Sequence, residues 1–337
     1  MNEHAEPTHF LPVRLGFSRS GAAVNWVDFG STALTEPFFH QTLRRLALSE
    51  RGMAIKITTL ADLYDSVQAL SPVAPSGIIF HISRCGSTLL ANMLRCGQDV
   101  VLLSEARLLG SLFHPRSFAM SSFDSNDWEE LRRSLLDCII TLYSHHFASK
   151  KQHVIIKCNA SSILHVAVVR RVWPQVPGII LIRDPIEVAV SNLAAPAGWV
   201  RWKHNALMAA RFLRVSPSVI ASMSITEYCA RALGRFLEAA LELADAQYRV
   251  IDYTELDLAM FYETAGRFAI ELPPPNSAII QQTLTRYSKD PGASEPFQPD
   301  SATKQSQATE LLRSEIAKWV QTPYDRLRSL GKTGLRL

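Results

Sequence analysis

The sequence predicts an α/β fold: a doubly wound, mostly parallel sheet with helices on both faces, preceded by a small N-terminal appendage. Three observations predict it. Short, nearly continuous apolar runs recur along the chain, as expected of strands covered on both faces. Helical patterns separate these runs, and strands that alternate with helices pair in parallel through crossover connections. Hydrophobic residues make up 47% of the 337 residues, enough for the core of one large domain.

Taken in order, residues 1 to about 70 read as a helical or mixed appendage. Trp26, Phe29, Phe38, Phe39, Leu43 and Leu46 supply its apolar anchors around the turn Thr35-Glu36-Pro37. Ser71-Pro72-Val73-Ala74-Pro75-Ser76-Gly77 is turn chemistry. It sets the boundary between an appendage, 1–74, and a main unit, 75–337.

The first core strand is Gly77-Ile78-Ile79-Phe80-His81-Ile82, followed by a polar loop and by Leu89, Leu90, Met93 and Leu94 at helical spacing. Further strands are expected at 99–103, 153–157, 178–182 and 249–251. A helix is expected over 127–147, where Leu131, Leu135, Ile139 and Leu142 share one face and Asn126 or Asp127 caps the start. Helices around 202–214 and 224–247 are expected to lie over the sheet. The stretch 288–306 is rich in Pro, Ser, Asp and Gly and reads as a long loop of the kind that forms lids, before a last helix ending near Trp319.

Charge narrows the function classes. Lys and Arg total 35 against 31 Asp and Glu, a formal +4, without the basic blocks of a nucleic-acid or membrane-surface protein. A small anionic ligand fits this balance, with no nucleic acid and no membrane as partners. Cys85, Cys96, Cys138, Cys158 and Cys229 are an odd number without zinc-ligand spacing, and are expected to be reduced thiols in a cytoplasm. Met1 to Pro7 carries two glutamates and no basic run ahead of an apolar stretch, so no secretory leader is expected. No uninterrupted apolar stretch reaches the roughly 18 residues of a membrane helix, and a soluble protein is expected.

The informative stretch is Ser83-Arg84-Cys85-Gly86-Ser87-Thr88-Leu89. A glycine and small hydroxyl residues between a buried strand and a helix let backbone N–H groups and the helix start converge on a phosphate or sulfate. The nucleotide-kinase form of such a loop needs Lys directly after its second glycine and a Ser/Thr on magnesium. Here Ser87 follows Gly86, and the cation is Arg84, which weakens an ATP or GTP reading. An ordinary turn with a solvated Arg is the bland alternative.

Phe80-His81-Ile82-Ser83-Arg84-Cys85-Gly86-Ser87-Thr88-Leu89-Leu90 resembles the 5′-phosphosulfate loop of the sulfotransferases that use 3′-phosphoadenosine 5′-phosphosulfate (PAPS), above all the Arg-Ser-Gly-Thr-Thr form of bacterial and protein-tyrosine members. The resemblance implies a P-loop-like nucleotide-binding fold. It puts Arg84 on the transferring sulfuryl group, and Cys85, Gly86, Ser87 and Thr88 around the 5′-phosphate, with Cys85 where the family usually has Ser. A second stretch, Ile180-Leu181-Ile182-Arg183-Asp184-Pro185-Ile186-Glu187-Val188-Ala189-Val190-Ser191, resembles the family's 3′-phosphate motif. Arg183 at the strand end and Ser191 on the following helix would hold the phosphate that distinguishes PAPS from ATP. The competing reading is a structural pair of Arg183 with Asp184 or Glu187.

Two further positions match the protein-tyrosine branch. Lys157 in Lys157-Cys158-Asn159 matches a second cation at the bridging oxygen, and Glu105 in Leu103-Ser104-Glu105-Ala106-Arg107 matches its acidic general base. Burial is expected to raise the pKa of Glu105. His114 is the alternative base, because small-molecule members use a His. The family's Arg-Lys-Gly closing loop is missing, and Lys289 or Lys304 stands in its place; Ser83 replaces the usual Pro.

The resemblance implies transfer of a sulfuryl group from PAPS to a hydroxyl or amine of a small molecule or peptide. The product is 3′,5′-adenosine bisphosphate, and no metal is required. A nucleotide kinase or NTPase and a non-catalytic nucleotide-binding protein are the competing functions. Tyr253 is read as structural. Trp199, Trp202, Phe212 and Tyr228 read first as core, with an acceptor pocket as the alternative. The appendage and the helices over 199–247 are the expected acceptor walls.

Overall fold

A computed structural model describes residues 9–18, 21–113, 125–147, 153–286, 288 and 299–333. Three strands open the chain: β1 (Phe10–Ser18), β2 (Gly21–Asp28) and β3 (Ile55–Thr58), antiparallel in the order β1-β2-β3. The appendage is therefore a sheet with the helices Phe39–Leu48 and Leu60–Asp65, more β than the sequence signalled. Its alternation is masked because β1 mixes apolar residues with Pro12, Arg14 and Gly16, and the register slips between Pro12 and Arg14.

The main sheet has β4 (Gly77–His81), β5 (Val100–Ser104), β6 (His153–Lys157), β7 (Gly178–Ile182) and β8 (Tyr248–Asp252). All four pairings are parallel, in the order β5-β6-β4-β7-β8. Every residue of β4 and β7 is buried, which is why these runs are apolar without alternation. Helices flank the sheet, among them Ser87–Arg95 after β4, Ser125–Phe147 before β6, Pro185–Ala194 after β7 and Ile225–Leu243 before β8.

The topology locates the ligand crevice. The connection leaving β4 crosses β6 to reach β5, whereas the one leaving β7 runs the other way to β8. The C-terminal ends of β4 and β7 are thus the point where the winding reverses, the usual ligand position in such sheets. His81 pairs with Leu181 in register, which sets the loop from Ser83 beside Arg183.

The appendage shares the hydrophobic core. Phe29 packs edge-on to Tyr143, and the Tyr143 hydroxyl donates to the Pro12 carbonyl at 2.8 Å. Two expectations for the C-terminal part change. Residues 289–298 of the expected loop lie outside the described residues and its end is the short helix Ser301–Gln307, and Glu310–Trp319 is followed by a further helix, Gln321–Thr333. Pro323 sits in the first turn of that helix, where no intrahelical N–H bond is lost. No helix among the described residues is long and apolar enough to cross a membrane.

Candidate functional site

A cavity of about 620 Å³ opens at the β4/β7 switch point. The loop after β4 forms its floor. Ser83, Arg84 and Gly86 have φ of 79°, 52° and 82°, so the backbone passes through left-handed conformations in a tight turn between β4 and the next helix. Gly86 is required twice over: its φ is left-handed, and a Cβ there would lie 2.5 Å from Leu256 Cδ1 and 2.9 Å from Tyr253 Cδ2. The helix Ser87–Arg95 starts directly after it with no side chain capping it, so its first N–H groups and partial positive charge face the cavity bordered by Ser87 and Thr88.

The loop is pinned by its neighbours. Cys85 is buried and its Sγ turns to the Leu181 carbonyl at 3.3 Å, so this residue offers the cavity backbone rather than thiol. Ser83 Oγ donates to Asn192 Oδ1 at 3.1 Å. Arg84 is half-buried and donates to the carbonyl of Ala195 at 2.8 Å.

Lys157 ends β6, and Glu105 follows β5 with φ 53°. The Lys157 side chain is fully buried and its Nζ donates to Glu105 Oε1; the Phe38 ring lies 5.0 Å from Nζ. The pairing reverses the expectation for Glu105. Burial alone would raise its pKa, but the Lys157 charge and the neighbouring His81 outweigh it and hold the carboxyl well below the usual range. His114 and Lys289 lie outside the described residues.

At the other end, Arg183 is 5% exposed. Its Nε donates to Glu187 at 2.6 Å, and one NH₂ group donates to Asp300 at 2.8 Å and to Ser301 at 3.2 Å. Tyr253 covers the guanidinium with its ring centroid at 4.1 Å, so Tyr253 is a wall of the cavity. Burial disfavours the Arg183 charge, but the bonds from Asp300 and Glu187 more than compensate and raise its pKa. The pair with Glu187 is the structural alternative read from the sequence, and it coexists with a cavity-facing position. Ser191 borders the same cavity. So does Lys304, whose Nζ donates to Asp300 Oδ2 at 2.6 Å.

The aromatic residues divide. Phe212 and Tyr228 are core, with Phe212 edge-on to Phe236. Trp199 and Trp202 border the cavity while packing on that core, and Phe38 and His40 border it from the appendage. Sequence reasoning missed His81, Phe38, Asp300, Arg201 and Arg286 as cavity residues. His81 stood inside the quoted motif without a role; Asp300 lies 117 positions from Arg183 and carried no local signal.

No family profile matches the chain, and no curated protein matches it. Among solved structures, it is similar to the sulfotransferase domain from the curacin biosynthetic pathway (13% identity, TM-score 0.47, covering 77% of this chain and 99% of that one). It is also similar to the sulfotransferase domain of the Synechococcus PCC 7002 olefin synthase (14%, 0.44, 76% and 96%). A mouse sulfotransferase solved with PAP is a third (14%, 0.39, 82% and 95%).

Proposed function

We propose that the protein is a PAPS-dependent sulfotransferase. One observation carries the reading: an uncapped helix start behind a left-handed glycine loop, Glu105 held from behind by the buried Lys157, and the buried Arg183 with Ser191 border one cavity at the switch point of a parallel sheet. These are the residue types that a donor with separate 5′ and 3′ anionic groups requires, in the order that the sequence motifs give.

The chemistry follows from the parts. An acceptor oxygen or nitrogen attacks sulfur in line, the new bond to sulfur forms, and the bond from sulfur to the bridging oxygen breaks. Its electron pair stays on the 5′-phosphate of the departing 3′,5′-adenosine bisphosphate (PAP), through a loose transition state like that of phosphoryl transfer. Arg84, Lys157 and the N–H groups at Ser87 and Thr88 meet the charge on that oxygen. Glu105 takes the acceptor's proton.

In this reading Lys157 links the two halves of the reaction. Its ammonium holds Glu105 weakly basic; drawn towards the charge growing on the bridging oxygen, it releases the carboxylate, which becomes a stronger base as the leaving group departs. Arg183 and Ser191 take the 3′-phosphate, displacing Asp300. The acceptor lies between Phe38 and His40 on one side and Trp199 and Trp202 on the other.

The test is calorimetric titration of PAP against ATP with magnesium, on wild type and Arg183→Ala. PAP binding that is tighter than ATP binding and weakened in the variant is expected. Equal or tighter binding of ATP, unaffected by the substitution, sinks the reading in favour of a nucleotide kinase or NTPase.

A further inference from the structure

His81 is a buried titratable group of the cavity that this chemistry leaves unused. It is the last residue of β4, 5% exposed, and both ring nitrogens are engaged. The backbone N–H of Ser83 donates to Nδ1 at 3.1 Å, so Nδ1 carries a lone pair. The ring proton therefore sits on Nε2, which donates to the Cys158 carbonyl at 2.9 Å. Burial, then the Lys157 charge, depress the pKa of His81 and keep the ring neutral. Nε2 also stands 3.7 Å from Oε1 of Glu105, too long for a hydrogen bond but within range of an electrostatic contact. Lys157 binds the same Oε1. The charged and titratable groups facing Glu105 are thus Lys157 from β6 and His81 from β4, with the buried Cys158 thiol nearby.

We infer that His81 is the positioning residue that ties the donor loop to the base: Nδ1 fixes Ser83 in its left-handed turn, while Nε2–H, given to the Cys158 carbonyl, keeps the positive edge of the ring 3.7 Å from Oε1 of Glu105, an electrostatic contact beside the Lys157 ion pair. The role of Glu105 as base rests on the sulfotransferase reading; the linkage through His81 rests on the geometry alone. A neutral ring suits both tasks. A second ring proton would oppose the Ser83 N–H and release the loop.

The two nitrogens can be separated. Asn at position 81 can keep an acceptor for the Ser83 N–H while losing the reach to Glu105; Gln can keep a donor near the Nε2 position while losing the acceptor. Long-range ¹H–¹⁵N NMR on the full chain should find Nδ1 unprotonated and Nε2 protonated from pH 5 to 8. In a Lys157→Met background, where the dominant cation is gone, ¹³C NMR can follow the Glu105 carboxyl. His81→Asn should raise its midpoint by about half a pH unit through loss of the Nε2–H dipole beside the carboxylate, and His81→Gln should restore it. PAP affinity of the single variants should split the other way, within about twofold of wild type for His81→Asn and several-fold weaker for His81→Gln.

A ring proton on Nδ1, or a Glu105 midpoint that does not move in His81→Asn, overturns the inference and leaves His81 a core residue. If the midpoint moves as expected while wild type binds no PAP, the functional reading fails and the linkage stands.

Discussion

The two ends of the cavity carry positive charge in different ways. At the end proposed for the sulfuryl group, the Arg84 and Lys157 side chains are joined by backbone: the left-handed turn at Gly86 and the uncapped start of the helix Ser87–Arg95. At the end proposed for the 3′-phosphate, positive charge comes from the side chains of Arg183 and Lys304, and both already bind Asp300, with Glu187 on Arg183 as well. Backbone dipoles fixed by a strand and a helix cannot swing to another partner. Guanidinium and ammonium groups can, and in a buried place they recruit carboxylates, because an unpaired buried charge is costly. In the proposed function the backbone part of the first anchor is therefore preformed, and the second has to exchange partners.

The largest expected effect tests the Lys157–Glu105 pair at the first end. Glu105→Gln should cut turnover by about 10²- to 10⁴-fold, the usual size of general-base loss. PAP binding should be kept or tightened, since Lys157 loses its competitor. Steady-state kinetics with calorimetry separate the two, and an active variant moves the base elsewhere, first to His114.

Next, Gly86→Val should weaken PAP binding by on the order of 100-fold, because the side chain meets Leu256 and Tyr253 at a φ that β-branched residues avoid. Retained affinity would mean that the loop is not a backbone anchor. Arg183→Ala should cost about 10- to 100-fold in PAP affinity, the worth of a hydrogen bond to a charged group, and leave ATP binding unchanged.

Asp300→Asn should act in the opposite direction and tighten PAP about three- to tenfold, with the gain shrinking at high salt because Asp300 is half-exposed. No gain would mean that Asp300 stays on Arg183 in the complex, and the contrast between the two ends would fall.

The smallest effect is on pH stability. The folded-state pKa of Glu105 lies below its ordinary 4.5, so its pairing stabilises the fold above that value and the contribution is lost as pH falls towards the folded pKa. The difference in thermal midpoint between wild type and Glu105→Gln should therefore narrow as the pH drops below about 4.5, as followed by circular dichroism.

Local pattern carried much of this molecule. The apolar runs at 77–82 and 178–182 became β4 and β7 because strands buried on both faces leave an uninterrupted signal. Gly86, Ser87 and Thr88 were legible because a turn between strand and helix restricts residue type at each position. The appendage strands were not, since Pro12 and the register slip break their alternation. Asp300 on Arg183 and Phe38 over Lys157 are contacts between distant segments without periodicity.

By itself, then, the sequence determined the strand–loop–helix units and the types of charge at their ends, because hydrophobic period and turn stereochemistry are properties of neighbouring residues. Only the tertiary structure decided how those charges are balanced. Glu105 became a depressed carboxylate rather than a raised one because a lysine 52 positions away reaches it, and Arg183 became a doubly held cation because the chain returns at Asp300. Electrostatic balance depends on distance in space, and the fold alone sets that distance.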